Sequence, residues 1–202
     1  MMNPELLIIN EHKSPKYPPR TYYNATSAGV TLAMAVNLNT AGELLTKKAA
    51  GERYIGFQLT DEIDDLIIAR QLYKKLKKDN VHTLNVAGNG IYTLSEHGCG
   101  QDFINYFTYK VISKVHEYWP IEKIYTGGQT GVDLAGAVTG YLLGIPTEVT
   151  LPNGFIQRFE DNKDVNGSRE KVFEQIERGA LNIQKKLLEE SGIIQTHNKP
   201  KM

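Results

Sequence analysis

A glycine-rich turn between two predicted elements is the segment best suited to chemistry. It consists of Gly127, Gly128, Gln129, Thr130 and Gly131. An apolar run precedes it and a helical pattern follows, so the N–H groups that open the helix can point at an anion. We therefore favour phosphate or nucleotide contact over a plain strand-to-helix turn in which the glycines serve geometry alone. Asp133 can reach a ligand hydroxyl or base, or it can simply be an acid favoured by the helix dipole.

A second candidate segment covers residues 17–27, which read as an irregular loop stiffened by prolines. Arg20 can grip a phosphate with its forked guanidinium group. Asn24 and Ser27 can form hydrogen bonds with a base or a sugar. The alternative is a surface loop that is closed by its own side chains.

Two more segments follow predicted strands. Gly88, Asn89 and Gly90 form a second glycine turn, and ligands of open α/β sheets bind at the carboxyl ends of strands. Further along, Arg158 precedes two acids, Glu160 and Asp161. These three side chains can serve a substrate, although an arginine beside two acids is more often a solvated ion-pair cluster.

Metal and thiol chemistry find little support in the sequence. The five histidines show no ligand spacing such as His-Glu-x-x-His, so no metal site is predicted. Cys99 is the only cysteine, which excludes an internal disulfide and favours a reducing, cytoplasmic location. For His97 and Cys99, near the second glycine turn, a structural role is favoured over a functional one.

Composition narrows the class of partner. Lys plus Arg (23) balances Asp plus Glu (23), so the chain lacks the basic field typical of duplex nucleic-acid binding. No run of about 18 apolar residues is present, and the first residues lack a signal-peptide pattern, so no membrane partner is expected. A chain of 202 residues suits one domain, and a small phosphorylated ligand is the expected partner. A homo-oligomer is left open, because one core uses all the apolar stripes.

Short β-rich runs alternate with longer helical patterns. Strands are predicted at 6–9, 30–36, 54–59, 82–86, 122–125 and 147–151, and the clearest helices at 61–78, 101–118, 132–143 and 168–190. This alternation predicts an α/β fold, a Rossmann-like three-layer sandwich with a mostly parallel sheet and helices on both faces. Gly136 and Gly140 predict close packing of the third of these helices on the sheet.

Two of the helices carry more detailed predictions. Thr60 is expected to cap the 61–78 helix, whose buried face is predicted to include Leu66 and Ile67. Phe103 and Phe107 are expected in the core on a stripe of the 101–118 helix, rather than on a surface that stacks bases.

Several motifs together point to a family. From residue 127 onward stand Gly-Gly-Gln-Thr-Gly-Val-Asp at 127–133, Gly-Ile-Pro at 144–146, Pro-Asn-Gly at 152–154 and Glu-Asp at 160–161. Earlier stand Tyr17, Arg20-Thr21, Asn24, Ser27, Thr31-Leu32, Leu45-Thr46 and Leu-Asn-Val-Ala-Gly at 84–88. These residues resemble the molybdenum-carrier-like family of the Rossmann-like SLOG superfamily, to which the Lonely Guy phosphoribohydrolases and DprA-type proteins also belong.

The motif order is rotated relative to that family, where the motifs seen here at 127–161 come first. The resemblance implies a circular permutation, which a single domain tolerates when its ends lie close at the surface. It also implies that the loop after the strand at Val30 and the two glycine turns converge on one pocket. The chain departs from the family pattern at Ala28, Asn89-Gly90 and Asn153, where the family has Asp, Pro-Arg and Lys. The Lonely Guy signature Pro-Gly-Gly-x-Gly-Thr-x-x-Glu is not found, so its hydrolysis is not carried over.

Residues 1–192 are expected to form one SLOG or Rossmann-like domain, with parts 1–119 and 120–192 packed on one sheet, followed by a flexible tail at 193–202. The expected function is binding of a phosphorylated nucleotide-like molecule at strand C-termini, as a carrier or a sequestering protein. A nucleotide, an ADP-ribose-type or signalling nucleotide, and a pterin cofactor all fit, and no cofactor is required. The alternative is an N-glycosidic or phosphoribosyl hydrolase in which Asp133 or Glu160 stabilises positive charge on the sugar. A third hypothesis is that the protein is an interaction module whose pocket binds no ligand.

Overall fold

Six strands form one parallel sheet in the computed structural model, which describes residues 2–60 and 62–192. They are β1 (Leu7–Glu11), β2 (Val30–Ala35), β3 (Tyr54–Gln58), β4 (Thr83–Gly88), β5 (Lys123–Thr126) and β6 (Thr147–Leu151). Their order across the sheet is β1-β6-β5-β4-β2-β3. Two short strands, β7 (Gln157–Arg158) and β8 (Asp164–Val165), form a separate antiparallel hairpin. Each strand predicted from the sequence is present, and every neighbouring pair in the large sheet is parallel.

Helices cover both faces of the sheet. They are α1 (Tyr17–Ser27), α2 (Ala41–Ala50), α3 (Asp65–Asp79), α4 (Ile91–Ser95), α5 (Gln101–Tyr118), α6 (Val132–Leu143) and α7 (Arg169–Glu190), with 3-10 turns at Pro4–Leu6 and Gly51–Arg53. Helices α1 and α2 contact each other on one face, whereas α3, α5, α6 and α7 pack side by side on the other. The protein therefore has the expected three-layer, Rossmann-like α/β fold.

The direction of each crossover decides which face its helix covers. The connections from β1 to β2 and from β2 to β3 run toward one edge and carry α1 and α2. The connections from β3 to β4, β4 to β5 and β5 to β6 run the opposite way and carry α3, α5 and α6. One handedness for all five crossovers produces this division. Parts 1–119 and 120–192 share the sheet, because β5 lies beside β4 and β1 lies beside β6.

The two faces of the sheet differ in their side chains, which alternate along each strand. Toward α3, α5 and α6 the strands present large apolar residues, and these form the main core. Leu32, Met34, Leu84, Val86 and Ile124 are all fully buried there. Toward α1 and α2 the same strands present Thr31, Ala33, Asn85 and Ala87. The apolar cluster described on that face consists of Ala25, Ala49 and Ala50 with Tyr54, so these small residues leave space between the layers.

The prediction of a loop at residues 17–27 was wrong, because these residues form α1. Pro18 and Pro19 occupy its first turn, where the missing N–H groups would have no partner within the helix. The prolines therefore mark the start of a helix.

The start and buried face of α3 also differ from the prediction. Asp64 caps the helix by accepting a hydrogen bond from the Leu66 N–H at 2.7 Å, and α3 begins at Asp65; the predicted first residue, 61, lies outside the described residues. Leu66 and Ile67 are about half exposed, at 49% and 46%, because they lie off the buried stripe of α3, which consists of Ile68, Ala69, Leu72 and Leu76.

The aromatic stripe of α5 is only partly buried. Phe103 is exposed, whereas Phe107 packs against the core. Ile104, Val111, Ile112 and Val115 form the buried face. The predicted tail at 193–202 lies outside the described residues.

Close packing of α6 on β4 yields the first testable prediction. A Cβ on Gly136 would lie 2.6 Å from the Cβ of Val86, a rigid core contact. We expect Gly136→Ala to lower the free energy of unfolding by about 1–3 kcal/mol, despite the better helix propensity of alanine. The matched control is Gly42→Ala in α2, where a Cβ meets open space and no loss is expected. Urea unfolding measures both, and equal stability of the Gly136→Ala and parent chains would contradict the packing argument.

Candidate functional site

A cavity of about 540 Å³ lies between the sheet and the layer formed by α1 and α2. Its walls come from α1, from the start of α2, and from the turns that follow β4 and β5. Beyond their carboxyl ends, β2 leads to α2 on one face, whereas β4 and β5 lead to helices on the other. This is the topological switch point at which open α/β sheets bind ligands.

The structure brings most of the predicted site residues to this cavity. The predicted residues that line it are Arg20, Asn24, Gly88, Asn89, Gly90, Gly127, Gln129, Asp133 and Arg158. Ser27 does not line it; the Ser27 hydroxyl donates to the Tyr23 carbonyl at the far end of α1. Of the remaining turn residues, Gly128 and Gly131 do not line it, and Thr130 lines a second cavity instead. The loop after β2, the segment from α1 and both glycine turns thus meet at one place.

Helical spacing explains how α1 serves the cavity. Tyr17, Arg20 and Asn24 stand at positions i, i+3 and i+7, so they share one side of the helix. This side faces the ends of β5 and β6, where the Asn24 amide nitrogen approaches the Thr150 carbonyl at 3.5 Å.

A buried ion pair closes the floor of the cavity. The Arg20 Nη1 donates to the Asp133 Oδ2 at 2.6 Å, and both side chains are almost fully buried. Burial raises the pKa of the Asp133 carboxyl, and the Arg20 guanidinium opposes that rise. A Cβ on Gly127 would overlap the Arg20 Nη1, so this glycine makes room for the pair. Arg20 is therefore engaged by a carboxylate rather than free to grip a phosphate.

The N–H groups that open α6 are engaged within the protein. Gly131 donates to the Gln101 side chain at 2.7 Å, Val132 to the Asn89 carbonyl at 3.2 Å and Leu134 to the Gln129 carbonyl at 2.9 Å. The expectation that these groups point at an anion was wrong for these three. Gly131 has a φ of 103°, and a Cβ there would collide with the Asn89 carbonyl oxygen. A glycine at position 131 is thus required for contact between the two turns.

Glu43 is a lining residue that the sequence analysis missed. It lies in the first turn of α2, is 2% exposed, and its Oε2 has no hydrogen-bond partner among the described residues. Burial raises the pKa of the Glu43 carboxyl to about 8, and the negative charge of Asp133 adds to the shift. The available signal was Thr40-Ala-Gly-Glu43, a capping-box spacing at a helix start. Thr40 does cap α2, by accepting from the Glu43 N–H at 3.3 Å.

Three other buried polar atoms, on residues that line the cavity, also lack partners among the described residues. They are Arg20 Nε, Asn24 Oδ1 and Asn85 Oδ1. Proteins pair more than about 90% of their buried polar groups, so a cluster of unpaired atoms in one cavity is unusual. Together with that of Glu43, four of these unpaired atoms belong to residues that line this one cavity.

At the mouth of the cavity, Arg158 is paired with a different acid from those predicted. Its Nε donates to the Asp164 Oδ1 at 2.8 Å, and its guanidinium lies 5.7 Å from the centre of the Tyr17 ring. The Tyr17 hydroxyl donates to the same carboxylate at 2.7 Å; together with burial, this raises the pKa of Tyr17 to about 12. Glu160 and Asp161 instead line a second cavity of about 850 Å³ between α5, α7 and the β7-β8 hairpin.

The remaining sequence candidates lie outside this site. Cys99 packs against the main core and His97 is exposed near it. Within residues 2–60 and 62–192, no group of three or more His, Cys, Asp or Glu side chains is placed to hold a metal ion. None of the helices in that same part of the chain is long and apolar enough to cross a membrane.

Comparison with known proteins adds little. No protein-family model matches the chain, and no curated protein matches it by sequence. Among solved structures, the crystal structure of pantothenate synthetase from Thermus thermophilus is similar with a TM-score of 0.25 and 15% identity. The similarity covers 91% of this chain and 76% of that one. At this level it carries no argument about function.

Loss of the buried ion pair is expected to lower the free energy of unfolding much more than loss of an exposed ion pair. Arg20→Met leaves a buried carboxylate without its partner, so we expect the free energy of unfolding to fall by about 3–5 kcal/mol. In a double-mutant cycle with Asp133→Asn, the double variant should lose less than the sum of the two single variants. Lys114→Met, which breaks the exposed pair with Glu117, is the control and should change stability little. Similar losses in Arg20→Met and Lys114→Met would refute the role assigned to the pair.

Glu43 predicts a pH-dependent stability difference. Between pH 4.5 and about 8 the folded protein keeps the Glu43 proton and the unfolded chain loses it, so this group lowers stability as pH rises. Glu43→Gln removes this effect. We expect the variant to be more stable than the parent by about 1–4 kcal/mol at pH 8, with the difference shrinking toward pH 5. Urea unfolding at three pH values tests this, and a difference that is constant with pH would contradict it.

Proposed function

We propose that the protein binds a phosphorylated nucleotide-like small molecule in the cavity between α1, α2 and the ends of β2, β4 and β5. The observation that carries the proposal is the cluster of unpaired buried polar atoms on Arg20, Asn24, Glu43 and Asn85 around one preformed space. A volume of about 540 Å³ falls within the range of small-molecule sites, roughly 300–1,000 Å³.

The start of α2 supports a phosphorylated ligand. Thr40, Ala41 and Gly42 line the cavity where the positive end of the α2 dipole opens onto it. The α6 turn, which the sequence favoured, has its N–H groups engaged elsewhere. Arg158 stands at the mouth, partly exposed and next to Tyr17, where it can approach a phosphate from the solvent side.

The resemblance to the molybdenum-carrier-like family of the SLOG superfamily supports the same proposal. On this proposal the rotated motif order reflects a circular permutation, and residues from both parts of the chain line the one cavity. A nucleotide, an ADP-ribose-type or signalling nucleotide, and a pterin cofactor all remain suitable ligands. On this proposal the protein is a cytoplasmic carrier or sequestering protein.

A second candidate function is hydrolysis of an N-glycosidic or phosphoribosyl bond. Of the acids named from the sequence, Asp133 is paired with Arg20, and Glu160 lines the other cavity. Glu43 favours this candidate, because a buried carboxyl with a pKa of about 8 keeps its proton at neutral pH and can act as a general acid.

Ligand-dependent stabilisation tests the proposed function. Denaturing mass spectrometry of the purified protein identifies any molecule that it retains, and a thermal-shift panel covers nucleotides, ADP-ribose derivatives and pterins. We expect at least one of them to raise the unfolding midpoint by about 5–10 °C at a hundredfold excess over its Kd. If none of these compounds raises the unfolding midpoint, the proposal is wrong.

Two variants locate the binding. Ala87→Leu fills the cavity from the strand side and should abolish the shift, because Ala87 lines the space. Ser27→Ala is the control, since Ser27 lies outside the cavity, and the shift should be retained. Conversion of the ligand over hours, lost in Glu43→Gln, would favour the hydrolase; a ligand released unchanged favours binding alone.

A further inference from the structure

The most deeply buried residues of the cavity lining carry side-chain oxygen atoms. Asn24, Glu43 and Asn85 are each 2% exposed, and each has a side-chain oxygen without a hydrogen-bond partner among the described residues. The amide nitrogen of Asn85 donates to the Thr31 hydroxyl at 3.2 Å, and that of Asn24 points to the Thr150 carbonyl at 3.5 Å. All three residues line the cavity.

The cavity lining carries little net charge. Its charged side chains are Arg20, Glu43, Asp133 and Arg158. Arg20 is paired with Asp133, and Arg158 is paired with Asp164. Burial keeps Glu43 neutral at pH 7, because the pKa of its carboxyl is raised to about 8.

A phosphate does not suit such a surface. The oxygens of an ionised phosphate accept hydrogen bonds and do not donate them. Of the unpaired buried atoms on the cavity residues, Arg20 Nε is a donor and can pair with a phosphate, but the oxygens of Asn24 and Asn85 cannot. A phosphate would also carry negative charge into a buried region where Asp133 already stands, at a high desolvation cost. A group that offers N–H or O–H donors and has no charge satisfies these oxygens instead.

We infer that the inner end of the cavity, formed by Asn24, Glu43 and Asn85, binds the uncharged, donor-bearing part of a nucleotide-like ligand, and that its phosphate stays at the mouth. This inference rests on the proposed function. The donors are the amino and ring N–H groups of a base or the hydroxyl groups of a ribose. The protonated carboxyl of Glu43 offers one hydrogen-bond donor and one acceptor. This pair matches the neighbouring acceptor and donor atoms along the edge of a heterocyclic base.

Calorimetric titration with unphosphorylated probes tests this division of the ligand. The probes are the four ribonucleosides, their monophosphates and inorganic phosphate, all at pH 7. We expect at least one nucleoside to bind within about tenfold of its monophosphate, and inorganic phosphate not to displace it. For adenosine, purine riboside lacks the amino group and 2′,3′-dideoxyadenosine lacks the 2′ and 3′ hydroxyls of the ribose. The analogue that binds more weakly identifies the donors that the protein contacts.

Variants test the residues themselves. Glu43→Ala and Asn85→Ala should each weaken nucleoside binding tenfold or more, and Glu43→Gln should restore most of the loss, because an amide also offers a donor and an acceptor. The matched control is Thr108→Val on α5, which removes another buried, unpaired hydroxyl away from the cavity and should not alter affinity.

The outcomes separate this inference from the proposed function. Nucleotides that bind with unchanged affinity to Glu43→Ala and Asn85→Ala would overturn the inference alone. The same holds if nucleosides fail to bind while inorganic phosphate competes with the nucleotides. A chain that binds no nucleoside, no nucleotide, no ADP-ribose derivative and no pterin would overturn both.

Discussion

The buried ion pair between Arg20 and Asp133 joins elements that lie 113 residues apart. Arg20 belongs to α1, and Asp133 lies in the first turn of α6, on the opposite face of the sheet. The pair crosses the carboxyl edge of β5 through the space left by Gly127. A buried charge without its partner costs several kcal/mol, so the ion pair holds α1 in its observed position. That position makes α1 the outer wall of the cavity.

Polar contacts hold α1 because apolar ones are scarce on that face. The Tyr23 hydroxyl donates to Glu148 at 2.6 Å, Glu148 is bonded to Lys123 at 2.8 Å, and the Arg53 guanidinium donates to the Ala28 carbonyl at 3.1 Å. Large apolar side chains would have stabilised this layer more, but they would have filled the cavity. The apolar core under α3, α5 and α6 supplies the stability of the fold, so the α1 and α2 layer can keep an open, polar interior.

The fold could be predicted from the sequence, because it follows from local patterns. Apolar runs of strand length, caps and helical stripes identified each strand of the sheet and most of the long helices. The helix α1 was missed because its two prolines look like a loop unless the first turn is recognised. The site was harder to predict from the sequence. Arg20 and Asp133 were each recognised as candidate ligand contacts, but their pairing depends on tertiary distance, and the burial of Glu43 depends on how α2 packs over the sheet.

The glycine turn shows why one local pattern can serve two purposes. Glycines at a strand-to-helix junction permit close approach, whether by a phosphate or by another backbone. Here the backbone is that of the second turn: Gly90 and Gly131 form an isolated bridge, and the Asn89 carbonyl accepts from the Val132 N–H. Of the N–H groups that open α6, that of Val132 therefore bonds the second turn, whereas those of Gly131 and Leu134 bond Gln101 and Gln129. The side chains that line the cavity beside these turns come from α1, α2 and β4.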